Sequence, residues 1–514
     1  MMDKPQDEKY DAESAAMRSD TLADGILILL VFTIVQRSVG FLRSILFCRW
    51  LDAEQLGEWD MAFGFLMLAA PLSVLALSSS FRRYVEHYRQ QGLLRRFLSR
   101  TTLVYFGLGG VSVTFVLLAR SWISSLVFGT PDRGELVVLM ALSLAAIIAH
   151  HYFLDLFGAL RNARLLAGIQ LVNSLVFAVV GVVLLSVWRC DASSVVIAFG
   201  AACTVCAAIG AIALRQAWRR ISDTGGSQES FSTWKKVLPF VGWITLSNFM
   251  GATFDVADRY MIVHFSSYSP SEALAQVGIY HSCRVVPLLL VSVVAMAGTI
   301  ITPHLSRDWE SGRRDRVNSQ LQLLLKLFGF GLTATCTAIL FAAPLMFDVA
   351  FQGKFVGASE ILPWTLAYCC WFAIFALLQN YVWCCEKAQT ATLALLVGLV
   401  LNVCLNLLLL PRMGLLGAVL ATAMANVVAL AILFLFCGGL GLQLERSVWI
   451  AVALPVSVCL GPWSTTVVLA AVVLEAATGT FLLNAEEKQQ LGDGTRMYLS
   501  RAARFVPYRR SRAS

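Results

Sequence analysis

A chain of 514 residues that is 58% hydrophobic and only 14% charged is excluded from the soluble class, where about a quarter of residues are charged. The formal net charge of +8 does not indicate nucleic acid, because the excess Lys and Arg sit in short segments between apolar runs, where they set topology. Those runs are continuous rather than alternating, which argues against a β-barrel, and at roughly 18 to 25 residues each they can cross a bilayer core of about 30 Å.

In chain order, residues 1–24 form a polar, acid-rich tail (Asp3, Asp7, Glu8, Asp11, Glu13). It lacks the basic start of a secretory leader, and no small-residue cleavage site follows the first apolar run, so that run is expected to be retained as a span. Fourteen spans are predicted, starting near Gly25, Asp60, Thr101, Leu136, Leu165, Ser193, Val237, Gln276, Leu321, Ile361, Thr392, Leu415, Val448 and Trp463. The last two are short, since Ser447–Leu483 must hold both, with Gly461-Pro462 as the turn.

With the N-terminus inside, the inner segments hold 29 of the 40 basic residues. The outer loops hold five: Arg49, Arg133, Arg189, Lys354 and Arg412. This asymmetry predicts that both termini, including the basic tail 484–514, are cytoplasmic.

The chain repeats itself at a spacing of roughly 220 to 230 residues. Gly57-Glu-Trp59 lies at the start of the second span and Gly278-Ile-Tyr280 at the start of the eighth; each precedes a charged inner loop, Phe81–Gly92 and Pro303–Gly312. GIQLVNS (Gly168–Ser174) is echoed by GLVLNVC (Gly398–Cys404). An even offset of six spans makes the halves parallel, with a path expected between them. The predicted fold is an all-α polytopic membrane protein of about 14 helices: an N-lobe (25–215), an inter-lobe linker (216–236), a C-lobe (237–437) and two extra helices (438–483).

Several spans carry charge at a depth where it costs several kcal/mol and faces an interior or a wet cavity. The stretch FDVADRYMIV holds Asp255, Asp258 and Arg259. Asp255 and Arg259 are spaced for an i,i+4 pair, which leaves one acid needing another partner. The first span holds Arg37 and Arg43, the third Arg120, the eighth His281 and Arg284, and the fourth His150, His151 and Asp155, the last two again i,i+4. Lys326 is close enough to an inner end to snorkel, as Arg43 and Arg120 could also do. Arg37 and Arg259 are 222 residues apart, the repeat offset. Embedded bases outnumber nearby acids, and Arg grips phosphate with a planar fork, so the pattern suits an anionic substrate such as a diphosphate.

No nucleotide-binding, zinc-protease or hydrolase-elbow motif occurs, and no cofactor is expected. Cys203 and Cys206 form a CxxC inside a span without a second pair, so they read as small hydrophobes. His150 and His151 point about 100° apart on a helix and do not suit one metal ion.

The Asp258-Arg259 pair, then GIY at Gly278, then PHLSRDW at Pro303–Trp309, resembles the oligosaccharide flippases of the multidrug/oligosaccharidyl-lipid/polysaccharide exporter superfamily. RSVGFLRSILFCRWLDAEQLGEW (Arg37–Trp59) and LVLNVCLNLLLLPRMGLLGAVLATAMANVV (Leu399–Val428) resemble further signatures of that family. The resemblance implies two six-helix lobes around a central cavity, plus two C-terminal helices. It implies movement of a polyprenyl-diphosphate-linked oligosaccharide from the inner to the outer leaflet of a bacterial cytoplasmic membrane by alternating access. It also implies cationic cavity residues at the diphosphate, here Arg37, Arg259 and Arg284, with Arg43 and His281 nearby. Asp255, Asp258, Asp155 and His151 are then coupling or structural ion-pair residues. The implied partners are the lipid-linked glycan, membrane lipids and candidate polysaccharide assembly proteins. A cation-coupled drug exporter of the same superfamily would want an acidic cavity. A membrane glycan polymerase or transferase would want reactive outer loops, and the longest here, Ala343–Ile361, offers only Asp348 and Glu360 as acids. A scaffold of a polysaccharide assembly complex is a third reading.

Overall fold

A backbone in lipid must satisfy its own hydrogen bonds, and among the described residues every regular element is helical. The computed structural model describes residues 22–75, 77–81, 85, 88–89, 93–160, 162–218, 230–485 and 487–489. The acidic N-terminal tail, the Arg82-Arg83 and Arg219-Arg220 clusters and the basic C-terminal tail lie outside the described residues. The helices are α1 (Leu22–Trp50), α2 (Ala53–Ser73), α3 (Leu94–Leu118), α4 (Arg120–Phe128), α5 (Gly134–Ala159), α6 (Ala163–Val187) and α7 (Ala192–Trp218), then α8 (Ser230–Phe265), α9 (Pro270–Arg284), α10 (Pro287–Glu310), α11 (Arg314–Pro344), α12 (Ala358–Cys384), α13 (Ala388–Met413), α14 (Leu415–Gly439), α15 (Arg446–Ala453) and α16 (Pro462–Thr478). Ten helices among the described residues are long and apolar enough to cross a membrane. The expected eighth span is split into α9 and α10, because Pro287 has no N–H to continue the ladder. Local chemistry sets the starts: Asp52 caps α2 through the Gln55 N–H at 2.8 Å, and Ser269 with Glu272 forms a capping box on α9.

The two halves pack in the same order. In the first, α1 lies on α6, α6 on α7, α7 on α5 and α5 on α3. In the second, α8 lies on α13, α13 on α14, α14 on α12 and α12 on α11. Helices one, five, six, four and three of each lobe therefore repeat, as the parallel internal repeat predicts.

The second helices of the lobes, α2 and α9, make the main contact between the halves. A Cβ on Gly57 would stand 1.8 Å from the Leu274 carbonyl oxygen, and one on Gly278 would stand 1.9 Å from that of Ala53. Backbone meets backbone here, and only glycine fits. Nearby, the Lys354 ammonium donates to the Arg49 and Trp50 carbonyls at 2.6 and 3.1 Å, placing a cation on the C-terminal end of α1. His264 reaches the Leu126 carbonyl at 2.7 Å. The lobes are thus sealed at the end that holds these loops.

The short C-terminal helices form a hairpin turned at Gly461, with φ 95°. Trp463 meets Phe341 of α11 at a ring distance of 5.1 Å. At the hairpin's other end, the Lys326 ammonium of α11 donates to Glu445 at 2.7 Å and Glu487 at 2.8 Å. Lys326 and Phe341 are fifteen residues, about 22 Å, apart along α11, and two short helices fill that height. Lys326 therefore does not snorkel: it is fully buried, and its charge is met by acids from the two chain segments that flank the hairpin.

Lys326→Met leaves Glu487 buried without its cation, and breaking a buried pair costs about 3 kcal/mol or more. We expect a lower melting temperature for the purified protein in detergent, with most of the loss recovered in Lys326→Met/Glu487→Gln. An unchanged melting temperature in the single variant would remove Lys326 as the anchor of the hairpin.

Candidate functional site

Between the lobes, α1, α2, α6 and α7 face α9 and α10 across a cavity of about 280 Å³. Arg37, Arg43, Asn173 and Phe177 line it from the N-lobe, and His281 and Ser292 from the C-lobe. The Arg43 guanidinium lies 3.9 Å from the Phe177 ring centroid, a cation–π contact that holds its plane against the wall. Arg37 also borders a second chamber of about 390 Å³, whose walls include Ile34, Leu42, Leu289, Val293 and Met296. Among the described residues no acidic side chain lines either chamber. Neither arginine has an ion-pair partner among the described residues.

The other charged candidates gather beside this cavity. Asp60 of α2 is 3% exposed. Its Oδ1 accepts from His281 Nδ1 at 2.9 Å and from Arg259 Nη1 at 3.2 Å. Arg259 Nη2 continues to Asp255 Oδ2 at 3.1 Å, the i,i+4 pair expected from spacing. Arg284 Nη2 donates to the other oxygen of Asp255 at 2.7 Å, and its guanidinium lies 5.2 Å from the Tyr280 ring centroid. Two arginines thus alternate with two carboxylates. Arg259 and Arg284 are buried inside this chain and line neither chamber, whereas the Asp255 side chain is 61% exposed. The expected cavity set therefore divides: Arg37, Arg43 and His281 face the cavity, and Arg259 and Arg284 stand behind it.

Asp258 has a different environment. Its oxygens accept from Tyr280 at 3.1 Å, Asn402 at 2.8 Å, Asn406 at 3.2 Å and Thr422 at 2.5 Å. All four donors are neutral and come from α9, α13 and α14. Asn402 and Asn406 are one turn apart, so α13 presents both amides on one face. Asn406 Oδ1 is buried without a partner. This is a buried carboxylate with no ion-pair partner among the described residues, in a wall of oxygen and amide groups.

The N-lobe acid is elsewhere. Asp155 Oδ2 accepts from Ser78 Oγ at 2.5 Å, a partner not expected from the His151 spacing. Neither His151 nor Asp155 lines the cavity. The His150 and His151 rings are 6.0 Å apart and tilted by 41°. Among the described residues no group of three or more His, Cys, Asp and Glu is placed to hold a metal ion.

A model of the polysaccharide biosynthesis protein family matches residues 22–309. No curated protein matches the sequence. Among solved structures the chain is similar to a lipid II flippase MurJ in an inward closed conformation, at 14% identity and TM-score 0.66, over 93% of this chain and 98% of that one. It is also similar to an inward-facing multidrug resistance transporter of the MATE family of the MOP superfamily, at 14% identity and TM-score 0.64, over 79% and 97%. A third is a MOP superfamily transporter from Pyrococcus furiosus described as having a binding pocket of reverse polarity, at 13% identity and TM-score 0.61, over 85% and 98%. These likenesses show the fold, and the proteins they name are transporters and flippases.

The two classes of arginine should separate by stability. Arg259→Gln strips the cation between Asp60 and Asp255, a loss of about 3 to 5 kcal/mol for a buried pair. Arg37→Gln removes an unpaired side chain at a cavity wall, where substitutions stay within about 0.5 kcal/mol. Thermal melting in detergent should drop sharply for the first and hold for the second; equal losses would contradict the division.

Proposed function

The chain belongs to the polysaccharide biosynthesis protein family, and from that premise we propose that it is a flippase. Its substrate is a polyprenyl-diphosphate-linked oligosaccharide, carried from the inner to the outer leaflet of a bacterial cytoplasmic membrane for cell-surface polysaccharide synthesis. The observation that carries this reading is the unpaired pair Arg37 and Arg43 at a cavity wall that continues into an apolar chamber. A cation pair in a low-dielectric site attracts an anion strongly, and the planar guanidinium fork matches phosphate oxygens. An apolar chamber beside it suits the first part of a lipid chain. The ligand this supports is an amphiphile with an anionic head.

A drug cation fits poorly, since it would meet Arg37 and Arg43 and, among the described residues, no acid in either chamber. The fold alone serves both substrate classes, because solved structures of both kinds are similar to it. The charge of the cavity separates them.

Alternating access requires the α2–α9 seal to part and the free ends to close. Coupling falls to the C-lobe. Asp255 is neutralised by two arginines, whereas Asp258 meets only neutral donors beside an unpartnered Asn406 oxygen. Asp258 is the carboxylate left for a coupling cation or proton, and Asp255 is the one that holds the arginines. With both termini cytoplasmic, the inner loops are the surfaces available to polysaccharide assembly proteins.

The test is transport of a fluorescent polyprenyl-diphosphate-linked sugar across sealed liposomes. Wild-type protein should move it, and Arg37→Ala/Arg43→Ala should lose at least about tenfold in rate, as expected when two charge-assisted contacts to phosphate are removed. Wild-type rates in the double variant would end the cavity assignment, and uptake of a small organic cation instead would select the exporter. Asp258→Asn keeps the side-chain volume and should transport at a rate that no longer responds to an imposed ion gradient. A gradient response equal to wild type would remove Asp258 from coupling.

A further inference from the structure

Asp60 and His281 occupy equivalent places in the two lobes. Each follows its repeat glycine by three residues, Gly57 in one half and Gly278 in the other. The glycine contact brings the two helices to backbone distance, and one turn further along the equivalent side chains meet, Asp60 Oδ1 to His281 Nδ1 at 2.9 Å. The ion pairs that join the lobes among the described residues all run through Asp60. His281 is the one member of this network that also lines the cavity, with 23% of its side chain exposed.

We infer that Asp60 is a positioning residue that makes anion binding in the cavity proton-linked through His281. This rests on the reading of the cavity as an anion site. A neutral imidazole carries one N–H. Asp60 accepts it at Nδ1, so Nε2 presents a lone pair to the cavity, which repels a phosphate oxygen. Uptake of one proton at Nε2 turns the ring into a donor at both ends: Nδ1–H to Asp60 and Nε2–H to the anion. The one bond that changes is Nε2–H, formed as an O–H bond of the aqueous proton donor breaks. One proton arrives from water with the anion and returns to water when the anion leaves. Affinity therefore rises as pH falls, because the bound state holds one proton more than the free state.

The charged groups around this pair are Arg259, Asp255 and Asp258 from α8, Arg284 from α9, and Arg37 and Arg43 from α1. Tyr280, Tyr368, Cys48 and Cys283 are the other titratable neighbours. From α10 the cavity wall carries Ser292 as its polar group among the described residues. Of these residue types, histidine is the one whose ordinary range of charge change spans about pH 5 to 8. Arg259, on both Asp60 and Asp255, and Arg284, on Asp255, hold the carboxylates of the network in place.

The experiment is binding of a short-chain polyprenyl-diphosphate-linked N-acetylhexosamine to the full-length protein in detergent across about pH 5 to 8. Its diphosphate is a diester and stays ionised throughout. Sulfate, which does not titrate there, is the second probe. Wild-type affinity should rise as pH falls, by up to about tenfold per unit, the limit for one linked proton. Calorimetry in two buffers of different ionisation enthalpy should count one proton taken up per ligand. His281→Gln should bind with the weak, high-pH affinity at every pH. Asp60→Asn lets the amide donate to Nδ1, so the ring can turn its one N–H to the cavity, and the pH profile should flatten. A flat wild-type profile, or an unchanged slope in His281→Gln, overturns the inference. A wild-type slope in Asp60→Asn removes the positioning role. Proton-linked binding of sulfate without binding of the lipid would keep this inference and end the lipid-linked reading. No binding of either anion at any pH would end both. Melting curves check that each variant is folded.

Discussion

Two glycines set the geometry on which the other features depend. Gly57 and Gly278 let α2 and α9 touch through their backbones. At that separation the side chains one turn further on are within hydrogen-bond distance. Any larger residue at either glycine would push the helices apart and take Asp60 out of reach of Arg259 and His281. The seal between the lobes and the charge network behind the cavity are therefore one construction. The contact is made between equivalent helices of a parallel repeat, so one kind of helix surface serves both sides.

Charge in a membrane interior is tolerated where it is compensated, and this chain compensates in two ways. Arg259 and Arg284 alternate with Asp60 and Asp255, an arrangement of zero net charge that crosses from one lobe to the other. Lys326 is compensated locally by two acids, Glu445 and Glu487, and so fastens the short C-terminal hairpin to α11. Among the described residues Arg37 and Arg43 receive no carboxylate. Arg43 instead lies against an aromatic face, which offers partial relief and leaves the edge of the fork available.

Much of the fold was legible because hydropathy and charge asymmetry report directly on bilayer crossing. The repeat was legible too, through Gly57 and Gly278, although their role as a contact was not. Helix boundaries were the weak point, and they concealed the main acid of the site. Hydropathy starts the second span near Asp60, which makes that residue look like a surface group at a helix end. The helix begins at Ala53, so Asp60 lies two turns inside. With Asp60 misplaced, Arg259 was matched with Asp255 alone, and its second carboxylate partner went unseen. The signal that could have corrected this was its register: Asp60 follows Gly57 as His281 follows Gly278. Asn402, Asn406 and Thr422 carry no formal charge and sit in strongly apolar helices, so composition hides them. Their i,i+4 spacing shows which face they share but not that Asp258 lies opposite.

Once the paired charges are set aside, the unpaired ones set the sign of the cavity. A network of zero net charge neither attracts nor repels strongly at a distance, so the field in the cavity comes chiefly from Arg37 and Arg43. A cation entering there would add to an uncompensated charge, while a diphosphate would complete the compensation that the protein leaves undone. The apolar chamber adds the second requirement. It adjoins the polar one at Arg37 rather than standing apart, so head and tail of one molecule can be held together. A fold similar to that of multidrug transporters can thus present a cationic cavity without changing its helices. It suffices to pair the neighbouring acids with partners of their own and to leave two arginines without a carboxylate among the described residues.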